Sequence, residues 1–140
     1  MREILFRGKT NYEGKDTEWV YGGLLPESAS TFPIIVRDYD NDEEWIGILD
    51  WATVDPETVG QYTGLTDKNG KKIFEGDIIK HHRRLWGEDI SDIGVVFWNA
   101  GTCQYRRTSS QNGETPQVWQ STTEQYEVIG NIHDNPELLK

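Results

Sequence analysis

The chain has 140 residues, enough for one domain or two small ones, and a core of this size forms without a metal ion or a disulfide. Its net charge of −10 opposes general binding to polyanions, while 11% aromatic residues supply large apolar side chains for a folded interior. Cys103 is the one cysteine, which excludes an internal disulfide, and no apolar run suits a signal peptide or a membrane span. We therefore expect a folded cytoplasmic protein.

The first part of the chain alternates short apolar segments with polar or glycine-containing turns, which is typical of an antiparallel β-meander. Strands are predicted at residues 4–6, 18–21, 32–36 and 45–49. Asp55 is then suited to cap one short helical turn that begins at Pro56, because a side-chain oxygen before a helix accepts free backbone N–H groups. We expect the meander to form an N-terminal β subdomain over residues 1–54.

The second part carries the strongest turn signal, Asn69-Gly70, a dipeptide that supports the positive φ angles of a tight hairpin. Strands are predicted at residues 59–63, 73–74, 78–81, 93–98, 103–106, 118–119 and 126–132, followed by a capped helical turn at 135–139. Short strands punctuated by glycine favour a mainly β fold. We expect residues 55–140 to form a small, bent, SH3-like barrel, either separate from the meander or continuous with it.

Several motifs, in order along nearly the whole chain, resemble those of the YopX family. The central one is VDPETVGQYTGLTDKNGKKIFEGDII at residues 54–79, and REILFRGK (2–9), WVYGGL (19–24) and YEVIGNIHDNPELL (126–139) flank it. The resemblance implies a mostly β fold, carriage by phages, prophages and other mobile elements, and self-association. It implies no reaction and no catalytic residues.

The central motif also has a physical interpretation as a set of turns. Glycine supplies positive φ or close backbone approach, and asparagine or aspartate supports turns through side-chain hydrogen bonds. The residues to which we assign this structural role are Gly60, Gly64, Asn69, Gly70, Gly76 and Asp77.

An acidic segment begins like a calcium-binding loop, with carboxylates at Asp38, Asp40 and Asp42. An EF-hand then needs glycine at its sixth position and glutamate at its twelfth, where this chain has Glu43 and Leu49. We therefore interpret the segment as a solvated hairpin tip, whose charge discourages aggregation of sheet edges.

Other side chains that carry chemistry are scattered. His81 and His82 are adjacent, so on a strand they point to opposite faces and cannot share a metal, and His133 lies far away in the sequence. Ser109 and Ser110 lie in a polar loop without the motif of a nucleophilic serine. We expect no catalytic residue, no cofactor and no metal, and so not an enzyme.

One short segment has the opposite charge to the rest of the chain. Residues 67–84 contain 6 basic and 3 acidic residues, a balance of +3, whereas residues 1–66 carry −8 and residues 85–140 carry −5. Basic side chains bind phosphates and an aromatic ring stacks on bases, so this segment is the candidate contact surface for a nucleic acid or a protein partner. The alternative, which we favour, is a solvated face that offsets the acidic parts of the chain, within one subunit or across a subunit interface. The candidate residues are Lys71, Lys72, Lys80, His82, Arg83, Arg84 and Trp86.

The hypothesis that we favour is a non-enzymatic phage accessory protein that binds other proteins, itself included. In an oligomer, the basic segment of one subunit would face the acidic segment 38–44 of another. The alternatives are a small nucleic-acid-binding barrel that uses residues 68–86, and an acidic decoy that occupies a DNA-binding protein of the host. The acidic body opposes the nucleic-acid hypothesis.

Overall fold

The computed structural model describes residues 3–25, 32–37, 50–100, 104–107, 117–118 and 125–139. The strands in these ranges are β1 Phe6–Lys9, β2 Trp19–Leu25, β3 Ile34–Arg37, β4 Asp50–Thr53, β5 Gly60–Thr66, β6 Lys72–Phe74, β7 Asp77–Leu85, β8 Glu88–Asn99, β9 Gln104–Arg107, β10 Gln117–Val118 and β11 Tyr126–Asn131. Short 3-10 turns lie at Pro56–Thr58 and Pro136–Leu139. The predicted strand at 45–49, the acidic segment 38–44, Cys103 and the serines at 109 and 110 lie outside the described residues.

The strands form two antiparallel sheets, with the orders β4-β3-β2-β1-β5-β6 and β10-β9-β8-β7-β11. This confirms the mainly β class and the C-terminal helical turn. The predicted turn at Pro56 is confirmed as well, because Asp55 Oδ1 accepts a hydrogen bond of 3.1 Å from the Glu57 N–H. The described helical structure consists of 3-10 turns, none of which has the length and apolarity that a bilayer crossing requires.

Two compact units divide the chain, Met1–Tyr62 and Thr63–Lys140, which we call unit 1 and unit 2. Residues 55–62 belong to unit 1. The start of this segment is bonded to β1, because the Asp55 N–H donates to the Lys9 carbonyl at 2.9 Å and the Lys9 N–H donates to Thr58 Oγ1 at 2.8 Å. The division therefore lies within β5. The boundary at 54/55, taken as a limit between folding domains, stays a prediction.

Unit 1 is built on strands whose side chains alternate between a core and an outer face. Val20, Ile35, Ala52 and Val54 are buried together in its core. Gly8 faces Val54 so closely that an added Cβ would lie 2.9 Å from the Val54 Cβ. Only a residue without a side chain allows this approach of β1 to the core.

Unit 2 has its own core, in which Ile73, Ile79, Val96 and Tyr126 are buried. The outer edge of β11 is already bonded: the Tyr126 carbonyl accepts from the Lys68 N–H at 2.9 Å, and the Val128 N–H donates to Asp67 Oδ2 at 3.0 Å. The prediction of a barrel needs correction here, because closure would require β10 to pair with this edge. The described strands form an open sheet instead.

Candidate interaction site at the β7–β8 hairpin

β7 and β8 form the longest hairpin of the described ranges, and a turn of two residues joins them. Leu85 pairs in register with Glu88, and Trp86 and Gly87 make the turn with φ angles of 57° and 84°. Positive φ at both central residues is the geometry of a type I′ turn, whose twist matches that of the flanking strands. The hairpin differs from the predicted strands, of which the first ended at residue 81 and the second began at residue 93.

Trp86 is an unusual residue for that position. Type I′ turns favour Asn, Asp or Gly, since a left-handed backbone costs other L-residues about 1–2 kcal/mol. Trp86 is the one non-glycine residue of the described ranges with positive φ, and its side chain is 101% exposed. The neighbouring Leu85 is 42% exposed. The indole therefore buries no surface within this chain that would offset the backbone strain.

The two arginines of the candidate segment lie at this end of the hairpin but differ in their surroundings. Arg83 Nη2 lies 3.7 Å from Oδ1 of the buried Asp92. Arg84 is exposed and pairs in register with Asp89 on β8, without an ion pair between them. Arg84 and Trp86 thus place one guanidinium and one indole near the projecting end, and we call residues 84–86 the hairpin end.

The adjacent histidines point to opposite faces of the sheet, as predicted. His81 is buried and stacks on Tyr126 with ring centroids 4.7 Å apart, and its Nδ1 lies 3.5 Å from Asp92 Oδ1. His82 lies on the other face, where its Nε2 is 3.0 Å from Glu127 Oε2. Among the described residues, no three side chains of the metal-ligating types converge on a common point.

Glu127 neutralises part of the basic segment. Its Oε2 also accepts from Lys68 Nζ at 3.2 Å. The hydrogen bond from His82, followed by the one from Lys68, holds the pKa of the Glu127 carboxyl below its ordinary value. Lys80 lies beside the same glutamate in register. The face of β7 that carries Lys80 and His82 is therefore a mixture of charges and not a continuous cationic strip.

An open cleft of about 470 Å³ lies beside the hairpin and includes His82, Ser91 and Gln125 in its lining. Ser91 lies directly opposite His82 in register, with Glu127 on the strand at the other side. A serine nucleophile needs a hydrogen bond from its hydroxyl to the base. Within the described residues no hydrogen bond joins the Ser91 hydroxyl to His82, whose Nε2 bonds Glu127, so this row of residues is not assembled as an activated serine.

The remaining basic candidates lie away from the hairpin end. Lys71 is exposed in the β5–β6 turn, where its N–H donates to Asp67 Oδ1 at 2.9 Å. Lys72 begins β6 and is half-buried. The structure therefore groups His82, Arg83 and Arg84 with the turn at Trp86, and it places the two lysines on another hairpin.

The β5–β6 turn, which contains Asn69 and Gly70 of the predicted signature, folds around a buried carboxylate, Asp67. Its Oδ1 accepts from the N–H groups of Asn69 and Lys71, each at 2.9 Å, and its Oδ2 accepts from Val128. Burial opposes ionisation, but these three backbone donors and the charge of Lys71 outweigh it and hold the pKa of Asp67 below its ordinary value. This side chain ties the β5–β6 turn to β11, a role that the sequence analysis did not assign.

The glycines of the signature take different roles. Gly64, Gly70 and Gly76 have φ angles of 87°, 80° and 84°. Gly60 is buried in β5 opposite Arg7. Asn69 has no positive φ, so Gly70 is the left-handed residue of the Asn69-Gly70 turn. A hydrogen bond of 3.0 Å from the Gly70 N–H to the Asp67 carbonyl closes this turn.

A second short turn of the signature is held by Asp77. This buried residue accepts a hydrogen bond of 2.8 Å at Oδ2 from the Phe74 N–H. The bond closes the chain around Glu75 and Gly76, between β6 and β7. It thereby fixes the point from which the long β7–β8 hairpin starts.

Comparisons with known proteins agree with this architecture. The family model described as YopX protein matches residues 6–140. Protein EF1440 from Enterococcus faecalis, known from its crystal structure, is 24% identical with a TM-score of 0.61, and the match covers 100% of both chains. This likeness shows the fold. No curated protein matches significantly.

Proposed function

This chain belongs to the YopX family, and we propose that it works as a non-enzymatic protein-interaction module whose contact point is the hairpin end, residues 84–86. The partner in this proposal is a protein, either another copy of the chain or a second protein of the same cell. The proposal includes the role of a phage or prophage accessory protein in the cytoplasm of the bacterial host, which the family resemblance and the single cysteine support.

The observation that carries the proposal is Trp86, a fully exposed indole on a left-handed backbone. Strained residues persist where the strain serves a function, and tryptophan and arginine are the side chains most enriched among the energetic centres of protein interfaces. Trp86 and Arg84 supply this pair at a projecting hairpin. Folding alone gives no reason for an indole at this position.

The charges near the hairpin favour a protein over a nucleic acid. Binding to a phosphate backbone needs several cations that are available together. Arg83 lies against Asp92, while His82 and Lys68 share Glu127. Of the basic side chains on β7 beyond His82, this leaves Arg84 as the exposed cation beside the indole. One cation and one ring suit a protein surface that offers a carboxylate and an apolar pocket.

The experiment compares two exposed tryptophans. Tagged protein is exchanged into a lysate of the host, and captured proteins are identified for the wild type, Trp86→Asn and Trp51→Ala. Trp51 is 56% exposed on β4, outside the hairpin, and serves as the matched control. We expect Trp86→Asn to lose a captured protein that Trp51→Ala retains. Equal capture by all three proteins would contradict the proposal.

A single-stranded nucleic acid is the second candidate, favoured by an exposed guanidinium and an exposed indole two residues apart in the chain, Arg84 and Trp86. A base that stacks on an exposed indole gains about 1–3 kcal/mol, and a neighbouring guanidinium binds the adjacent phosphate. Filter binding of single strands at rising salt tests this candidate. Binding that weakens with salt, and weakens less steeply for Arg84→Ala, would support it. No retention at low salt would exclude it.

A further inference from the structure

The β5–β6 turn contains a chemically reactive link, an asparagine followed by a glycine. The dipeptide occurs at Asn69-Gly70 and again at Asn112-Gly113, which lies outside the described residues. A glycine after asparagine has no Cβ that would hinder the approach of its nitrogen to the asparagine side chain. Asn69 and Gly70 are exposed, and no atom beyond Gly70 and its two chain neighbours lies within 4 Å of the position that a Gly70 Cβ would take. Access by water therefore does not limit chemistry at this link.

The reaction of such a link is deamidation through a cyclic imide. The Gly70 nitrogen attacks Asn69 Cγ and loses its proton, the Cγ–Nδ2 bond breaks, and the side-chain nitrogen leaves as ammonia. Water then opens one of the two C–N bonds of the imide. Opening at the side-chain carbonyl gives aspartate, and opening at the main-chain carbonyl gives isoaspartate, in which the main chain runs through Cγ. Water is the co-reactant of the whole sequence, and both products carry a new carboxylate.

The folded turn holds the groups that must react. The Gly70 N–H, whose nitrogen has to lose its proton, donates a hydrogen bond of 3.0 Å to the Asp67 carbonyl. Asp67 Oδ1 accepts from the N–H groups of Asn69 and Lys71, which lie on either side of the reactive link, each at 2.9 Å. Rotation of the Gly70 nitrogen over Asn69 Cγ would break these bonds. The closed turn therefore blocks the attack, and the open turn permits it.

We propose that Asn69 is a modification site gated by the Asp67 turn: the link deamidates when the turn opens, and isoaspartate then keeps the turn from closing against β11. Isoaspartate adds one carbon to the main chain between the two N–H groups that Asp67 Oδ1 accepts, so one oxygen can no longer accept from both. It also places a second negative charge beside Asp67, and like charges repel.

The modification would release the outer edge of β11. The Lys68 N–H donates to the Tyr126 carbonyl at 2.9 Å, and both this bond and the bond from Val128 to Asp67 Oδ2 need the closed turn. A strand edge that loses such bonds can pair with another strand, so the modified chain gains a site for association. The inference is independent of the proposed function, because no residue of the hairpin end takes part in it.

The first experiment measures the reaction at Asn69 by peptide mapping with mass spectrometry, with isoaspartyl methyltransferase as the label for isoaspartate. Every protein carries Asn112→Gln, so that Asn69-Gly70 is the one Asn-Gly link of the chain. We expect the folded protein to deamidate at least about tenfold more slowly than the same chain unfolded in guanidinium chloride, since opening the turn breaks several hydrogen bonds. Asp67→Ala in native buffer should approach the rate of the unfolded chain.

A control variant and a second measurement separate opening of the turn from general loss of stability. Gly8→Ala crowds the core of unit 1 and leaves the turn unchanged, so it should deamidate like the parent protein. Hydrogen exchange of the Gly70 amide in the parent protein does not depend on whether Asp67→Ala folds, and deamidation should be slowed as much as this exchange is. Equal rates in the folded and unfolded chains, equal acceleration by Asp67→Ala and Gly8→Ala, or deamidation faster than the exchange permits would overturn the gate.

The second experiment tests the effect on β11. The chain is aged in guanidinium chloride and refolded, and the isoaspartate form is separated by chromatography and compared with Asn69→Asp, which adds the same charge without lengthening the main chain. We expect the amides of Lys68 and Val128 to exchange at least about tenfold faster in the isoaspartate form than in Asn69→Asp. Equal protection of these amides in the two proteins would overturn the claim that the modification releases β11.

Discussion

Two hairpin turns of unit 2 each contain a left-handed glycine, but they differ in the residue before that glycine and in the contacts that the turn makes within the chain. In the β5–β6 turn, Gly70 follows residues suited to turns, and the buried Asp67 ties the turn to β11. In the β7–β8 turn, Gly87 follows Trp86, which projects fully into solvent. The first turn is explained by the hydrogen bonds it makes within the chain. The second has a residue that disfavours its backbone, and in our proposal contact with a partner accounts for that residue.

The largest effect is expected at the first turn. Asp67→Ala leaves three backbone N–H groups without their acceptor, and loss of a buried charged acceptor costs about 3 kcal/mol or more of the free energy of unfolding. Urea unfolding followed by circular dichroism measures this. Asp16→Ala, at an exposed carboxylate, should change stability by less than about 0.5 kcal/mol. Similar small changes in both variants would contradict the account of the Asp67 turn.

Two glycines, one packed against the core and one beside open space, test how much close packing contributes to stability. Gly8→Ala would place a methyl group 2.9 Å from Val54 Cβ, an overpacking that costs about 1–3 kcal/mol. Gly23→Ala is the matched control in β2, because no atom beyond Gly23 and its two chain neighbours lies within 4 Å of the position that its Cβ would take. Thermal unfolding should show a clear loss for the first variant and little change for the second. Equal losses of thermal stability in the two variants would show that the close approach of Gly8 to Val54 does not affect the free energy of unfolding.

The pKa of Asp67 predicts how stability depends on pH. Since its pKa is lower in the folded state than in the unfolded state, the carboxylate contributes stability above the unfolded value, near 3.8, and loses it as pH falls through the lower folded value. Urea midpoints measured at decreasing pH should fall more steeply for the wild type than for Asp67→Asn. Parallel curves for the two proteins would contradict this assignment.

The smallest effect on stability is expected at the β7–β8 turn, where the substitution should stabilise the protein instead of destabilising it. Trp86→Asn creates an Asn-Gly turn, which accepts positive φ, so the free energy of unfolding should rise by about 0.5–1 kcal/mol. Chemical denaturation of the wild type and the variant measures this gain. Destabilisation instead would mean that the indole supports the fold, and the contrast between the two turns would then disappear.

Much of the fold could be predicted from local patterns. The Asn69-Gly70 turn, the cap at Asp55 and the alternation of the early strands depend on neighbours in sequence, and the structure contains each of these elements. The β7–β8 hairpin was missed because Trp86-Gly87 lacks the usual turn residues and because charged side chains hide the alternation of residues 82–85. The left-handed backbone at Trp86 is imposed by strand pairing, which local propensity does not report.

The candidate site was only partly predictable for a related reason. The sequence grouped Lys71 and Lys72 with Arg84 and Trp86 because they are close along the chain. The fold separates them, and it brings Asp92 and Glu127 from other strands to the basic residues. Charge compensation between distant segments depends on sheet register, which the sequence alone did not give.

The measurement that tests the central claim most directly is photocrosslinking from position 86. A photoreactive phenylalanine analogue replaces Trp86 in one sample and Trp51 in another, and both proteins are irradiated in host cells. The account predicts a discrete crosslinked protein species from position 86 that is absent from position 51. Identical patterns from the two positions, or no protein adduct at position 86, would contradict it.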